Sequence, residues 1–150
     1  MLFKPEVREA LFKIDFVKRA KELTQNYSFD RENSFECYDN DNVKSIFDEL
    51  DYKVKYYKKE KFFKVAEKIK DKKIQFNICL KYGYVEMGWY LFRDNKYYNG
   101  SVWSMMKESL EDDGENLKDP CFHNYEELKE ILKEAFLMYE DFKKELCSIS

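Results

Sequence analysis

The sequence predicts an α+β fold. An antiparallel four- to five-stranded meander over about residues 53–98 carries helices from both ends of the chain, packed on it as a two-layer sandwich. Apolar residues recur at helical spacing before residue 51 and after residue 101, and they alternate in between. Aromatic residues make up 18% of the chain, and such side chains fit a pleated, half-buried surface. With four Gly and two Pro in 150 residues there is little room for linkers, so residues 1–150 are expected to form a single domain. A chain of that length buries roughly 68–70% of its unfolded surface, enough for a core without staples.

Pro5 suits the first turn of a helix, where its missing N–H would be unpaired anyway. Val7, Leu11, Ile14 and Val17 then mark one amphipathic helix over roughly 5–23, widened by Ala10 and Ala20. The polar stretch Thr24 to Asn40 reads as a loop. Asp39 or Asp41 caps a short helix whose apolar face is Val43, Ile46, Phe47 and Leu50. Lys53 to Tyr56 alternates as a half-exposed strand, and Lys58 to Lys61 is a turn. Phe63, Val65, Glu67 and Ile69 share one parity of the next strand, and Lys70 to Lys72 is a second turn. Ile74, Phe76, Ile78 and Leu80 share a face of what should be the central strand. After Tyr82-Gly83, residues Val85, Met87, Trp89 and Leu91 continue that buried parity. Arg93 to Lys96 is a third turn, and Tyr97-Tyr98 begins a short last strand ending at Asn99-Gly100. Such short turns between alternating strands mean antiparallel hairpins. Val102, Trp103, Met106 and Leu110 return to helical spacing, and Glu111-Asp112-Asp113-Gly114-Glu115 ends that helix as an acidic loop. Asn124 caps the last helix, with Glu127 three residues on. Leu128, Ile131, Leu132, Ala135, Met138, Tyr139, Phe142 and Leu146 line its buried face.

The net charge is only −3, yet it is strongly polarised. Residues 53–73 carry +7, and residues 107–145 carry −7. The N-terminal Met1-Leu2-Phe3-Lys4-Pro5-Glu6 holds no apolar signal core, and no apolar run approaches the roughly 18 residues of a membrane span. A cytoplasmic protein is therefore expected, with Cys37, Cys79, Cys121 and Cys147 reduced.

Few chemistries fit the residues. The single histidine, His123, stands two from Cys121, too far along an extended segment for a thiolate–imidazole contact, and reads as a surface or cap residue. Gly83, Gly88, Gly100 and Gly114 are too scattered to cradle a phosphate. The acidic run lacks the Asp-x-Asp-x-Asp-Gly spacing of a calcium loop. No cofactor, metal or catalytic set is expected. The Lys-rich hairpin 53–73, with Tyr56, Tyr57, Phe62 and Phe63, has the residue types of a nucleic-acid surface. The acidic balance of the whole chain speaks against that, and lysines also keep edge strands from pairing with other chains. If helices cover one sheet face, some of Tyr82, Tyr84, Tyr90, Tyr97 and Tyr98 decorate the other as interface anchors.

The run Lys72-Lys73-Ile74 through Glu86 to Trp89, then Tyr98-Asn99-Gly100, Trp103 and the closing helix Asn124 to Leu146, resembles the small α+β immunity proteins encoded beside bacterial polymorphic or contact-dependent toxins. That resemblance covers the organisation of roughly residues 60–146. It implies a single cytosolic domain that neutralises one cognate toxin by covering its active site or a neighbouring surface. It carries over no catalytic residue. A toxin with a basic surface, such as a nuclease, would be steered by the acidic C-terminal region. The expected partner-binding residues are Glu108, Glu111, Asp112, Asp113, Glu115, Asp119, Tyr97 and Tyr98. The alternatives are an adaptor or inhibitor of another host or phage enzyme, and a nucleic-acid-binding protein using the 53–73 hairpin. An uncovered sheet face would also suit a homodimer.

Overall fold

A computed structural model of the chain describes residues 3–30 and 35–149. The element order is α1 (Pro5–Lys13), α2 (Phe16–Asn26), α3 (Asn40–Glu49), β1 (Lys55–Tyr57), β2 (Phe62–Ile69), β3 (Lys72–Lys81), β4 (Tyr84–Arg93), β5 (Lys96–Val102), α4 (Trp103–Leu110) and α5 (Tyr125–Ile149). The five strands form one antiparallel sheet in the order β1-β2-β3-β4-β5, with β3 at its centre. This is the meander the alternation predicts, with helices packed on the sheet as an α+β fold.

Register explains the buried face. Phe76 pairs with Val65 and Trp89, and Ile78 pairs with Phe63 and Met87. These residues stand on one side of the pleat and are buried. The helices fill that side with rings. Phe47 lies 5.4 Å from Phe63, Phe136 lies 4.9 Å from Phe76, and Phe142 stacks on Trp89 at 4.8 Å. Glu67 shares the core parity but sits near its margin. The Tyr139 hydroxyl donates to its carboxylate at 2.6 Å, and Lys143 donates at 3.0 Å.

The helix expected over 5–23 is two helices. Asp15 adopts a left-handed conformation, φ 55°, and breaks it. An Arg19 Nη1 donates to the Ile14 carbonyl that the break exposes, at 3.3 Å. The restart moves the buried stripe by one residue, from Val17 to Phe16, Ala20 and Leu23. Phe16 thereby fits between Trp89 and Trp103, at 5.5 and 5.4 Å. A stripe of apolar residues does not reveal this, because Val17 continues it at i+3 from Ile14, whereas Phe16, at i+2, does not.

Other boundaries shift. α2 runs to Asn26, so the polar connection is shorter than Thr24 to Asn40; its residues 31–34, like Met1 and Leu2, lie outside the described residues. β1 begins at Lys55 instead of Lys53, and β5 extends past Gly100 to Val102, so the sheet spans 55–102. Of the two expected caps for α3, it is Asp39 that accepts from the Asp41 N–H, at 2.8 Å. Asn124 accepts from the Glu127 N–H at 2.8 Å, as the capping pattern predicts. The Glu127 carboxylate reaches back one residue further than expected, accepting from the His123 N–H at 3.0 Å.

Candidate functional site

The acidic run after α4 is organised by lysines. Lys107 belongs to the buried face of α4, and its ammonium donates to the Asp113 carboxylate at 2.5 Å and to the Glu115 carbonyl at 2.6 Å. A buried cation needs such partners. The bond from Lys107, and then the Glu115 N–H that donates to the same carboxylate at 2.9 Å, hold the Asp113 carboxyl well below the usual carboxylate range. From α2, Lys21 adds ion pairs to Glu111 at 3.0 Å and Asp113 at 3.5 Å. Asp113 and much of Glu111 are thus committed to the chain itself. Glu108, Asp112 and Glu115 remain exposed on the helix side of the molecule. No local pattern marks Lys107 as turned inward, because a lysine beside a charged run reads as solvated.

Asp119 is different. The Thr24 hydroxyl donates to the Lys118 carbonyl at 2.6 Å, the Val85 N–H to the Pro120 carbonyl at 2.9 Å, and the Cys121 N–H to the Tyr27 carbonyl at 2.7 Å. Asp119 is therefore pinned between α2 and the start of β4, where Cys121 forms a bridge beside Tyr84. Its carboxylate has no hydrogen-bond or ion-pair partner among the described residues. Burial, and then the nearby Glu86, pushes its pKa up to about 6. It lines a cleft of about 630 Å³ with Thr24, Ser28, Phe29, Tyr84, Leu117 and Lys118. Phe29 is half exposed and stacks on Tyr84 at 5.4 Å, with 12° between the ring planes. The same burial, with Asp119 beside it, pushes the Cys121 thiol up to about 11.

The expected tyrosine pair is split. β5 carries a bulge, with Leu91 opposite Asn99 and Phe92 opposite Tyr97, so Tyr98 is the extra residue. Tyr98 turns to the helix side, where its hydroxyl donates to Glu6. Arg93, Lys4 and Lys72 flank its ring at 4.7, 5.5 and 5.6 Å. Tyr97 is exposed on the opposite side of the sheet. The acidic run, tied to α2, lies on the helix side, so Tyr97 and that run do not share one surface.

The side of the sheet opposite the core is where Tyr97 points. Among the described residues no helix covers it. Tyr57, Phe62, Tyr90 and Phe92 are half-buried there, with the amides of Gln75 and Asn77 between them. Tyr57 stacks on Phe62 across the β1–β2 hairpin at 4.9 Å. Lys64 and Lys55 approach the Tyr57 ring at 4.7 and 5.1 Å. The other two aromatics of the hairpin, Tyr56 and Phe63, pack together on the core side at 4.6 Å. Gly88 leaves room for Tyr90, whose ring lies 2.9 Å from where a Cβ would stand. The Lys-rich hairpin thus supplies both an edge strand and a rim of ammonium groups on this open face.

His123 is a capping neighbour of α5, its ring Nδ1 2.6 Å from the Glu127 carboxylate. All four cysteines are free thiols. Among the described residues no three His, Cys, Asp or Glu side chains converge on a metal position, and no helix is long and apolar enough to cross a membrane. Comparison with protein-family models, with curated proteins and with solved structures found no match to this chain.

Proposed function

We propose that this chain is a non-catalytic protein-binding domain that acts in the cytoplasm as an immunity protein, neutralising a cognate bacterial toxin by covering it. The observation that supports this reading is the one-sided sheet. Its open face presents Tyr57, Phe62, Tyr90, Phe92 and Tyr97 on a rigid hydrogen-bonded platform. Aromatic anchors on such a scaffold lose little conformational entropy on binding, and they dominate the energetics of interfaces. The exposed acids Glu108, Asp112 and Glu115 supply long-range attraction toward a basic partner without having to lie in the contact itself.

The test is growth rescue. The C-terminal region of the protein encoded immediately upstream is expressed in a bacterial host with and without this chain. Toxicity abolished by this chain, with co-purification of the two proteins, is the expected result. Toxicity that persists in its presence contradicts the reading.

A second reading has its own observation. The Tyr57–Phe62 stack with Lys55 and Lys64 beside it joins a stacking surface to phosphate-neutralising charges, as single-stranded nucleic-acid sites do. An anisotropy titration with random oligonucleotides separates the two. Salt-sensitive binding at micromolar protein favours nucleic acid, and its absence leaves the open face to a protein.

A further inference from the structure

The cleft around Asp119 has features that its place in the fold does not require. Its carboxylate is half-buried and has no hydrogen-bond or ion-pair partner among the described residues, whereas Glu111 and Asp113 of the same acidic stretch are paired with lysines. Glu86 stands close enough to raise its pKa further, so the local field disfavours the charge more. Lys118 lines the rim but forms no ion pair with it. At neutral pH the group is nonetheless mainly ionised, because its pKa lies near 6. The Phe29–Tyr84 stack lines the same cleft, and its Phe29 ring is half exposed.

A stacked aromatic wall beside a lone carboxylate matches one side chain better than others. A guanidinium is planar, is weakly hydrated, stacks on aromatic faces and bonds a carboxylate through two parallel N–H groups. We propose that this cleft is the socket for an arginine side chain of the protein partner, with Asp119 as its counter-ion and Phe29 and Tyr84 as its stacking wall. This deepens the immunity reading by naming what the partner brings, and it adds a specific contact to the diffuse attraction of the acidic run. Residues 117–121 are fixed by bonds to α2 and β4, so the socket is formed before the partner arrives.

The test needs no partner, so its outcome is separate from that of the growth rescue. The full chain, 13C-labelled at its carboxyl groups, is titrated with acid in the presence of Nα-acetyl-arginine amide up to its solubility limit. Nα-acetyl-citrulline amide, the neutral isostere, is the control. The expected result is an Asp119 midpoint lowered by about one unit or more with the arginine probe and unmoved with the citrulline probe, as an opposite charge in contact requires. Amide shifts of Phe29 and Tyr84 caused by the arginine probe should vanish in Asp119→Asn, an isosteric change whose fold is checked by its amide spectrum. An Asp119 midpoint that does not move, that moves equally with both probes, or Phe29 and Tyr84 shifts that persist in Asp119→Asn, would overturn the assignment.

Discussion

The two faces of β3 and β4 are built from alternate residues of the same strands, and they differ in almost everything else. On one, Ile74, Phe76, Ile78, Leu80, Val85, Met87, Trp89 and Leu91 are buried under the helices. On the other, Gln75, Asn77, Tyr90 and Phe92 are half-buried and no described helix covers them. The first face specifies the fold through packing that tolerates little change of volume. The second contributes cross-strand contacts and is otherwise spare, so its composition is available to a partner. The demands of core packing thus fall on one side of the sheet, and substitutions on the two faces should have unequal consequences.

The largest effect is expected in the core. Trp89 stacks on Phe142 and meets Phe16, Phe76 and Trp103. Trp89→Ala should cost about 3–5 kcal/mol in urea denaturation. Gly100→Ala comes next. Its φ of 114° disfavours any side chain, and a Cβ would stand 2.2 Å from the Trp89 carbonyl oxygen. The backbone conformation alone is worth about 1–3 kcal/mol.

Asp119 gives a smaller effect of opposite sign. Its folded pKa, about 6, is above the unfolded carboxylate value, so the folded state holds this proton more tightly. The group therefore subtracts stability as pH rises from about 4 to 6, and the penalty is full at pH 7. Asp119→Asn should stabilise the chain by about 1 kcal/mol at pH 7, discounted for the share of the group that solvent screens, and by nothing at pH 4. Urea midpoints at the two pH values check this. An equal gain at both would mean that the charge is not the cause.

The smallest effect is expected on the open face. Tyr57→Ala loses one cross-strand ring pair and should cost less than about 1 kcal/mol. Destabilisation as large as that of Trp89→Ala would mean that this face is a second core, and the comparison would fail.

The separation of faces was legible in the sequence, because burial on one side of a strand imposes a period of two that Ile74 to Leu80 and Val85 to Leu91 display without interruption. The centre of the sheet and the α3 and α5 caps were legible for the same reason, since each depends on neighbours a few residues away. The break at Asp15 was not, because a left-handed residue between two helical turns leaves the apolar stripe continuous. The acidic run was visible, but its division was not. Whether an acid is spent on Lys107 or Lys21, or left unpartnered like Asp119, depends on how α2, α4 and β4 pack around the run, which neighbouring residues do not reveal. Phe29 and Tyr84 show this most clearly. Nothing in a polar connection marks Phe29 as the outer ring of a stack, and only the fold brings it onto the strand after Gly83.

Growth rescue by variants matched for stability tests whether the open face and cleft bind the toxin. Tyr57→Ala, Tyr90→Ala and Asp119→Asn are combined in one chain that remains folded. A core substitution of similar stability, Ile78→Val, serves as its control. The control is expected to rescue growth as the original chain does, and the combined open-face and cleft variant to fold yet fail to rescue. Full rescue by that variant would contradict this, and would place the binding surface on the helix side.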